Sequence, residues 1–322
     1  MINSATFAAF GQPEDVLTIS TSNHQGISNG EVRVKMLAAP INPADINLVQ
    51  GIYGIRPDLP ATAGIEGCGE IIESLSPDLT VGDRVIFISH NGTWQDEVVC
   101  PASALLKIPQ ETPLHQAAML KVNPLTAWCM LTQLLSLKKG DCVIQNAANS
   151  GVGCCVIQIA QLLGIKTINL VRRDELLDEL NTLGGDINML DNADSIDSIR
   201  EMQPSLALNA VGGDSALRLM DALGKNGLHV TYGAMSRNSL KVPNKFLIFK
   251  GIRLHGFWMT EWIEENSSEK VESAYQQLAQ WMIDKKLAQP IDSTFSLNEI
   301  HAAVSLAQQD KRKGKVLLSM NE

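Results

Sequence analysis

A short run of small residues between two predicted elements has the composition of a phosphate-binding loop. The segment Asn146–Gly153 follows a predicted strand, Asp141–Gln145, and leads into a predicted helix, Gly151–Leu163. A dinucleotide pyrophosphate needs small side chains here, because the backbone must approach the phosphates and the helix N-terminus must offer its N–H groups. The glycine positions of the Gly-x-Gly-x-x-Gly pattern are held by Ala148, Ser150 and Gly153. Since two of the three are other small residues, an ordinary tight turn is the alternative interpretation.

Two arginines follow the next predicted strand, Thr167–Val171. In a dinucleotide-binding fold, the residue at this place, about 20 residues after the loop, contacts the adenosine ribose. An acidic side chain there favours NAD, whereas a guanidinium pairs with the 2′-phosphate of NADP. Arg172 and Arg173 therefore favour NADPH over NADH. The alternative is a solvated basic pair before a helix, and the neighbouring Asp174 weakens the electrostatic argument.

Residue patterns for other chemistries are missing from the sequence. None of the six histidines pairs with another at ligand spacing, and no Cys-x-x-Cys motif occurs. A zinc site is therefore not predicted. A Gly-x-Ser-x-Gly nucleophile elbow is absent as well. Redox chemistry with a nucleotide cofactor is favoured over hydrolysis and over metal catalysis.

The elements around these residues indicate two kinds of domain. Short β-like runs fill the first third of the chain, which is typical of a barrel or an antiparallel sheet; they are Glu31–Leu37, Gly69–Glu73 and Arg84–Ile88. From about Thr112, strands and helices alternate, which predicts a parallel, doubly wound sheet. Its later strands are Leu206–Ala210, Leu228–Tyr232 and Arg253–Gly256, and a helix at Glu175–Leu183 lies between.

The tail after Trp262 has its own pattern. A long helix at Val271–Lys286 comes first, and the predicted order strand, helix, strand then covers Ile291–Phe295, Leu297–Gln309 and Lys315–Leu318. We expect this tail to rejoin the N-terminal domain, because the nucleotide sheet already has about six strands.

Composition sets the class of protein. The chain has 322 residues, enough for about two domains. The net charge of −9 argues against a nucleic-acid partner. Six scattered cysteines favour a reducing compartment. The sequence starts without a basic-then-apolar leader and has no run of about 18 apolar residues. The expectation is a cytoplasmic protein with no membrane span, or an organelle-matrix protein if a presequence was removed.

Several motifs resemble the medium-chain dehydrogenase/reductase superfamily, along nearly the whole chain. Pro60–Gly67 resembles its Gly-x-Glu-x-x-Gly neighbourhood, Val81–Val85 is similar to its Gly-Asp-Arg-Val strand entry, and Ala148–Gly153 resembles its Ala-x-x-Gly-x-Gly loop. The resemblance implies an α/β fold with two domains. A GroES-like, partly open β-barrel catalytic domain would cover residues 1–118 and 266–322. An inserted Rossmann domain, a doubly wound parallel sheet that binds NADP, would cover residues 119–265.

The resemblance is to a zinc-free branch of that superfamily. The zinc enzymes have histidine where this chain has Ile65 and a ligand cysteine where it has Asn42, and the structural-zinc cysteine cluster is missing. Within the branch, the chain resembles the mitochondrial-type 2-enoyl thioester reductases. The segments that carry this resemblance are Asn42–Asn47, Gln50–Gly54, Asn123–Ala127, Gln145–Gly153, and Gly256–Met259 with Trp262.

This likeness implies NADPH-dependent reduction of trans-2-enoyl thioesters of coenzyme A or of an acyl carrier. Hydride goes to the β-carbon, and Tyr53 is implied as the proton donor and as the stabiliser of the charge on the thioester oxygen. Quinone oxidoreductases are close relatives, and many have a tyrosine in the same loop. An NADPH-dependent quinone or enone reductase and a non-catalytic NADPH-binding protein therefore stay open as alternatives.

The resemblance also implies which residues bind ligands. Cofactor binding is implied for Asn123, Asn149, Ser150, Gly151, Val152, Arg172, Arg173, Asp174, Tyr232, Gly233, Ala234, Met235, Phe257, Trp258, Met259, Thr260 and Lys315. Thr126 and Trp258 are implied to line the acyl pocket. Lys315 lies close to a basic run at 311–313, so a solvated basic turn is the alternative for it.

The edge strand Arg253–Trp258 is similar to the one that joins two cofactor sheets in this superfamily. A homodimer is therefore expected, because an apolar edge strand that stays unpaired promotes aggregation.

Overall fold

The computed structural model describes residues 1–90, 92–310 and 312–320. The chain divides into two compact units. Unit 1 comprises residues 1–122 and 263–322, and unit 2 comprises residues 123–262. The boundaries expected from the sequence lie a few residues away from these.

The strands and helices of the described residues are as follows. The strands are β1 (Ile2–Phe7), β2 (Thr18–Ser22), β3 (Glu31–Pro40), β4 (Ala61–Thr62), β5 (Cys68–Ser74), β6 (Arg84–Phe87), β7 (Glu97–Pro101), β8 (Leu105–Lys107), β9 (Cys142–Gln145), β10 (Lys166–Val171), β11 (Ile187–Leu190), β12 (Leu206–Asn209), β13 (Leu228–Thr231), β14 (Arg253–Gly256), β15 (Ile291–Ser296) and β16 (Lys315–Ser319). The helices are α1 (Pro13–Val16), α2 (Pro43–Val49), α3 (Leu114–Ala118), α4 (Asn123–Thr132), α5 (Gly151–Leu163), α6 (Leu177–Leu183), α7 (Ala193–Ile199), α8 (Gly213–Ala222), α9 (Asn244–Ile248), α10 (Met259–Glu265), α11 (Ser268–Ile283) and α12 (Ile300–Ala307).

Unit 1 is built on two mostly antiparallel sheets. One has the order β15-β16-β3-β5-β6-β8, with β7 also paired to β3, and the other has the order β2-β1-β4. The tail returns to the first of these sheets, because Leu317 of β16 pairs antiparallel with Pro40 of β3. Phe7, Leu48 and Trp94 lie in a core cluster of this unit. These pairings place the start of β16 beside the segment that leads from β3 into α2.

Unit 2 contains a six-stranded parallel sheet in the order β11-β10-β9-β12-β13-β14. This is the strand order of a doubly wound dinucleotide-binding sheet, and it confirms the predicted fold class. Ile144, Ile168 and Ala207 are buried in its core. The edge strand β11 was not predicted, since its residues are only half-buried and Asn188 interrupts the apolar run. No helix within the described ranges is both long enough and apolar enough to cross a bilayer.

Helix termini explain where predicted and observed bounds differ. Helix α5 has the predicted bounds, because Ser150 caps its first turn and Gly164 ends it in the left-handed region. Helix α4 begins at Asn123, because proline suits the first helical turn and Pro124 stands there. Two other predicted helices open with a 3₁₀ turn, at Asp174–Leu176 and at Leu297–Glu299.

Candidate active site

The loop between β9 and α5 has the geometry of a phosphate-binding turn. Ala147 adopts a left-handed conformation, with φ of 47°. The Ser150 hydroxyl accepts a hydrogen bond of 3.1 Å from the Gly153 N–H. Because the first N–H groups of a helix have no acceptor within the helix, the start of α5 offers donors to an anion. The loop thus fits a dinucleotide pyrophosphate despite the two replaced glycines.

Most of the predicted ligand-binding residues of unit 2 follow strands of its sheet. Asn149–Val152 follow β9, Arg172–Asp174 follow β10, Tyr232–Met235 follow β13, and Phe257–Thr260 follow β14. Because all these strands are parallel, their carboxyl ends lie at one edge, where doubly wound sheets bind ligands. The structure therefore brings these four segments to one side of the sheet. Asn123 and Thr126 are buried on α4, which packs against α5.

The structure separates the two adjacent arginines. Arg172 is exposed and lines a cavity of about 300 Å³. Arg173 instead forms an ion pair of 2.9 Å with Glu175. The Asp174 carboxylate accepts a hydrogen bond from the Glu175 N–H. The two guanidinium groups of this pair therefore have different surroundings.

Sequence reasoning missed the other walls of this cavity. Asp191 accepts hydrogen bonds from the Ser215 hydroxyl, at 2.5 Å, and from Arg218 Nε, at 2.6 Å. Gly212 and Gly213 also line it, and both have positive φ. The available signal was the Gly-Gly pair shortly after a buried strand, which marks a close backbone approach.

A buried amide pair holds the neighbouring strand ends together. Asn146 Nδ2 donates to Asn209 Oδ1 at 2.9 Å, and Asn146 Oδ1 accepts from the Ala210 N–H at 2.7 Å. The same Asn209 oxygen accepts from the Gly212 N–H at 3.0 Å. This network fixes the backbone between the phosphate loop and the cavity.

One buried hydroxyl beside the loop points to a polar ligand. The Tyr232 hydroxyl is buried near Ser150 and has no hydrogen-bond partner of acceptable geometry among the described residues. Burial raises the pKa of Tyr232, so the phenol stays protonated and can donate. A buried donor without a partner costs free energy, and a bound phosphate or ribose oxygen would remove that cost. The residues present therefore fit a dinucleotide.

In unit 1, Tyr53 lies on the loop that leaves α2. Its side chain is half-buried and packs against the core cluster of that unit. Gly51 has φ of 72°, and a Cβ there would stand 2.8 Å from the Phe10 ring. The Arg56 guanidinium lies 4.5 Å from the centre of the same ring. Glycine is needed at this turn, and the turn sets the position of Tyr53.

Lys315 is not in a solvated basic turn, contrary to the alternative offered by the sequence. It is 8% exposed and donates a hydrogen bond to Asn42 Oδ1. Asn42 Nδ2 in turn donates to Glu66 Oε1 at 2.6 Å. Burial raises the pKa of Glu66, and the nearby Lys315 opposes that rise. Burial also lowers the pKa of Lys121 to about 8.

Comparison with known proteins assigns the family. Residues 28–110 match the alcohol dehydrogenase GroES-like domain, and residues 151–281 match the zinc-binding dehydrogenase domain. The mitochondrial enoyl-[acyl-carrier-protein] reductase of Homo sapiens is 38% identical over 331 aligned positions, which cover 99% of this chain and 89% of that protein. This chain belongs to the 2-enoyl thioester reductase family of the medium-chain dehydrogenase/reductase superfamily. Unit 1 contains its GroES-like domain and unit 2 its Rossmann-type sheet.

Solved structures of the superfamily have the same fold. The Etr1p complex with NADP and crotonyl-CoA superimposes with a TM-score of 0.90 at 28% identity, covering 99% of both chains. A protein from Bacillus thuringiensis assigned as an NADPH:quinone reductase gives a TM-score of 0.91 at 28% identity, covering 99% of this chain and 98% of its own. Both enoyl-thioester and quinone reductases are therefore among the structural neighbours of this reductase.

The family model that matches residues 151–281 is described as a zinc-binding dehydrogenase, so the residues at the zinc-ligand positions of this chain decide whether it can bind that metal. At the place where the zinc enzymes have their ligands, this reductase has Asn42 and Ile65, and the Lys315 ammonium contacts Asn42. A site with two buried lysines and without cysteine or histidine does not fit a divalent cation. Among the described residues, no group of three His, Cys, Asp or Glu side chains could hold a metal ion.

Proposed function

We propose that this reductase uses NADPH to reduce the α,β double bond of trans-2-enoyl thioesters. The observation that carries the proposal is the 38% identity, over 99% of the chain, to an enoyl-[acyl-carrier-protein] reductase. The Etr1p structure with NADP and crotonyl-CoA supports the same chemistry. The phosphate loop and the cavity at Arg172 supply a place for the cofactor.

Tyr53 is the residue that we assign to catalysis. Bound NADPH supplies a hydride for the β-carbon of the substrate. The double bond then becomes a single bond, its electron pair moves toward the thioester oxygen, and the α-carbon must gain a proton. A phenol donates a hydrogen bond to the developing negative charge and is a proton source for the α-carbon. The half-buried side chain, on a turn fixed by Gly51 and Phe10, favours this role because a catalytic donor must be held in place.

Cofactor binding is assigned to the segments at the carboxyl edge of the sheet in unit 2. We propose that Asn149–Val152 bind the pyrophosphate and that Arg172 binds the 2′-phosphate. Arg173 and Asp174 shape that turn, and Tyr232–Met235 with Phe257–Thr260 contact the rest of the dinucleotide. Asn123 of α4 and Lys315 of unit 1 complete the proposed set.

The acyl chain is assigned to two side chains of unit 2. Thr126 is buried on α4, and Trp258 is 38% exposed after β14. A buried hydroxyl and a partly exposed indole can line a mostly apolar pocket. The thioester is carried either by coenzyme A or by an acyl carrier protein.

A substrate panel tests the function. Oxidation of NADPH is followed with crotonyl-CoA, trans-2-decenoyl-CoA and the matching acyl-carrier thioesters, and NADH is run beside it. Turnover of the enoyl thioesters, with NADPH preferred, is the expected result. Turnover of quinones with no reaction on any thioester would overturn the proposal.

A quinone or enone reductase is the second candidate. The structural similarity to the Bacillus thuringiensis protein favours it, and the same cofactor residues would serve it.

A third candidate is a protein that binds NADPH without catalysis. It requires that the wild type binds NADPH but turns over neither a thioester nor a quinone.

We further propose a homodimer formed through the edge of the sheet in unit 2. Strand β14 is shorter and more polar than the apolar edge expected from the sequence, since Arg253 and His255 lie on it. Exposed apolar side chains nevertheless lie near this edge: Ile248 at 70%, Phe249 at 76% and Leu254 at 41% exposure. A patch of this kind is typical of an interaction surface.

We also propose that the enzyme works in a reducing compartment. The six cysteines of the described residues are all free. The curated relatives are named as mitochondrial. Both the cytoplasm and an organelle matrix keep thiols reduced.

A further inference from the structure

An ion pair of unit 2 lines the same cavity as Arg172. Arg218 of α8 donates to Asp191 Oδ1 at 2.6 Å through Nε, and both residues belong to the wall of this cavity of about 300 Å³. The Arg218 side chain is 28% exposed, whereas the Asp191 side chain is 7% exposed. The guanidinium, rather than the carboxylate, is therefore the member of the pair that a ligand can reach.

Asp191 is itself held at its main chain and at its other carboxylate oxygen. Its N–H donates to the Val171 carbonyl at 2.8 Å. Asp191 Oδ2 accepts from the Ser215 hydroxyl at 2.5 Å, and the Ser215 oxygen in turn accepts from Asn146 Nδ2 at 2.8 Å. Because both carboxylate oxygens have partners, Asp191 is a fixed anchor that sets the orientation of the paired guanidinium.

These contacts bring a second guanidinium to the cavity that Arg172 lines. The hydrogen bond from Asp191 to Val171 connects the ion pair with Arg172, which is the next residue along the chain. Arg172 follows β10 and Arg218 lies on α8, so the two cations reach one cavity from different elements. A guanidinium that pairs through Nε has further N–H donors on its terminal nitrogens. Two such groups match a phosphate, which has several acceptor oxygens.

The carboxylates of the cavity are both occupied or screened. Asp191 is paired with Arg218 and accepts from Ser215. Asp214 also lines the cavity, but its side chain is 75% exposed and its Oδ1 lies 3.9 Å from Lys241 Nζ. Solvent and the lysine therefore screen the charge of Asp214. An anion can thus bind at the two guanidinium groups.

We propose that Arg218 binds the 2′-phosphate of NADPH together with Arg172, and that Asp191 is the positioning residue that holds the Arg218 guanidinium for this contact. The proposal rests on the role in cofactor binding that is proposed above for this cavity. NADH lacks the 2′-phosphate, so Arg218 favours NADPH without contributing to the binding of NADH. A guanidinium that is fixed before the ligand arrives loses less conformational entropy on binding than a free one.

Two unreactive nucleotides test the proposal by direct binding. Adenosine 2′,5′-bisphosphate and 5′-AMP differ only in the 2′-phosphate, and titration calorimetry measures the Kd of each for the whole chain. Arg218→Gln is expected to weaken binding of the bisphosphate about tenfold, the size of one charged hydrogen bond, and to change the Kd of 5′-AMP less than about twofold. Arg218→Lys keeps a cation beside Asp191 and so protects the fold, but it lacks the planar fork. It is expected to weaken binding of the bisphosphate about threefold, again without an effect on 5′-AMP.

Asp191→Asn tests the positioning role. It keeps the shape of the side chain and an acceptor for Ser215, but it removes the charge that holds the guanidinium. A carboxylate that only repelled the phosphate would give tighter binding when neutralised. As a positioning residue, Asp191 should give the opposite result: its replacement weakens binding of the bisphosphate about threefold in the wild-type background, and less than about twofold in the Arg218→Gln background.

Arg200→Gln is the matched control for the loss of a positive charge. Arg200 also belongs to unit 2, and its guanidinium is paired with the carboxylates of Asp197 and Asp221. Arg200 does not line the cavity at Arg172. The Kd values of both nucleotides should therefore stay unchanged in this variant.

The outcomes distinguish this proposal from the proposed function. Unchanged affinity for the bisphosphate in both Arg218 variants, or equal weakening of both nucleotides, would overturn the role of Arg218. If the wild type still prefers the bisphosphate, the proposed use of NADPH stands. Tighter or unchanged binding in Asp191→Asn would overturn the positioning role. The expected binding pattern in a protein that does not reduce enoyl thioesters would refute the proposed reaction and leave the role of Arg218 intact.

Discussion

The carbonyl oxygen of Ala148 leaves no room for a side chain at Gly153. A Cβ added at Gly153 would lie 2.5 Å from that oxygen. The third glycine of the phosphate-loop pattern is therefore required by packing between the loop and the first turn of α5, while the positions of Ala148 and Ser150 tolerate other small residues.

Replacing this glycine should damage the loop. Gly153→Ala is expected to cost about 1–3 kcal/mol of unfolding free energy, because backbone must shift to relieve the overlap, and to weaken NADPH binding. Thermal unfolding and cofactor fluorescence measure the two effects. Gly26→Ala is the control, since nothing lies within 4 Å of a Cβ there. An unchanged Kd in Gly153→Ala would contradict the assigned role of the loop.

Removal of the Tyr53 hydroxyl should slow the reaction without loss of the cofactor. Tyr53→Phe is expected to lower kcat on crotonyl-CoA about 100-fold or more, which is the usual contribution of a general acid. The Kd for NADPH should stay the same. Tyr275→Phe is the matched control, because that hydroxyl donates to the Lys121 carbonyl at 3.3 Å within unit 1. Equal kcat losses in both variants would argue for a structural effect.

Arg172 should determine the choice between the two nicotinamide cofactors. Arg172→Ala is expected to raise the KM for NADPH about 10–100-fold, since a charged hydrogen bond to the 2′-phosphate is lost, and to leave the KM for NADH unchanged. Arg200→Ala removes a guanidinium of the same unit that is paired with Asp197 and Asp221. It should change neither constant. A parallel rise in both KM values for Arg172→Ala would contradict 2′-phosphate recognition.

Acid should destabilise unit 2 through His229. Its ring is fully buried, neither nitrogen has a partner among the described residues, and burial lowers its pKa to about 4. The unfolded chain binds a proton near pH 6.5 and the folded chain near pH 4. The neutral ring therefore contributes stability above pH 6.5 that is lost as the pH falls toward 4.

The full loss is about 3 kcal/mol, and it is reached when the pH lies below the folded pKa of about 4. His229→Leu should remove it, so that the thermal midpoint falls less between pH 7.5 and pH 4.5 than in the wild type. His301→Gln, at an exposed position, is the control. The same acid sensitivity in His229→Leu as in the wild type would show that other groups cause it.

The edge of the sheet in unit 2 should set the oligomeric state. The mass in solution is expected to be twice the chain mass of 35.0 kDa. Phe249→Asp should give the monomer, because a carboxylate cannot be buried in an apolar interface without a large cost. Val81→Asp, which changes another exposed apolar residue, should stay dimeric. Light scattering measures the mass of the wild type and of both variants, and a monomeric wild type would contradict the proposed homodimer.

Local signals were strong enough to predict the centre of unit 2 from the sequence. Ser150 and Gly164 mark both ends of α5, so its bounds could be read directly. The strands β9 and β10 are short apolar runs between turns, and their alternation with helices determines a parallel sheet. The half-polar strand β11 escaped prediction, because an edge strand needs no continuous apolar run.

The sequence alone also determined the family, since Tyr53, the phosphate loop and the missing zinc ligands are properties of residue type and spacing. Only the tertiary structure decided what the charged residues do. Arg172 and Arg173 are neighbours in sequence, yet one lines a cavity and the other pairs with Glu175. Lys315 stands in a basic stretch, yet the pairing of β16 with β3 places it against Asn42 in the interior. The physical reason is that burial and pairing decide whether a charged side chain faces solvent, a cavity or the interior. Both depend on residues that are distant in sequence, and local sequence patterns do not contain that information.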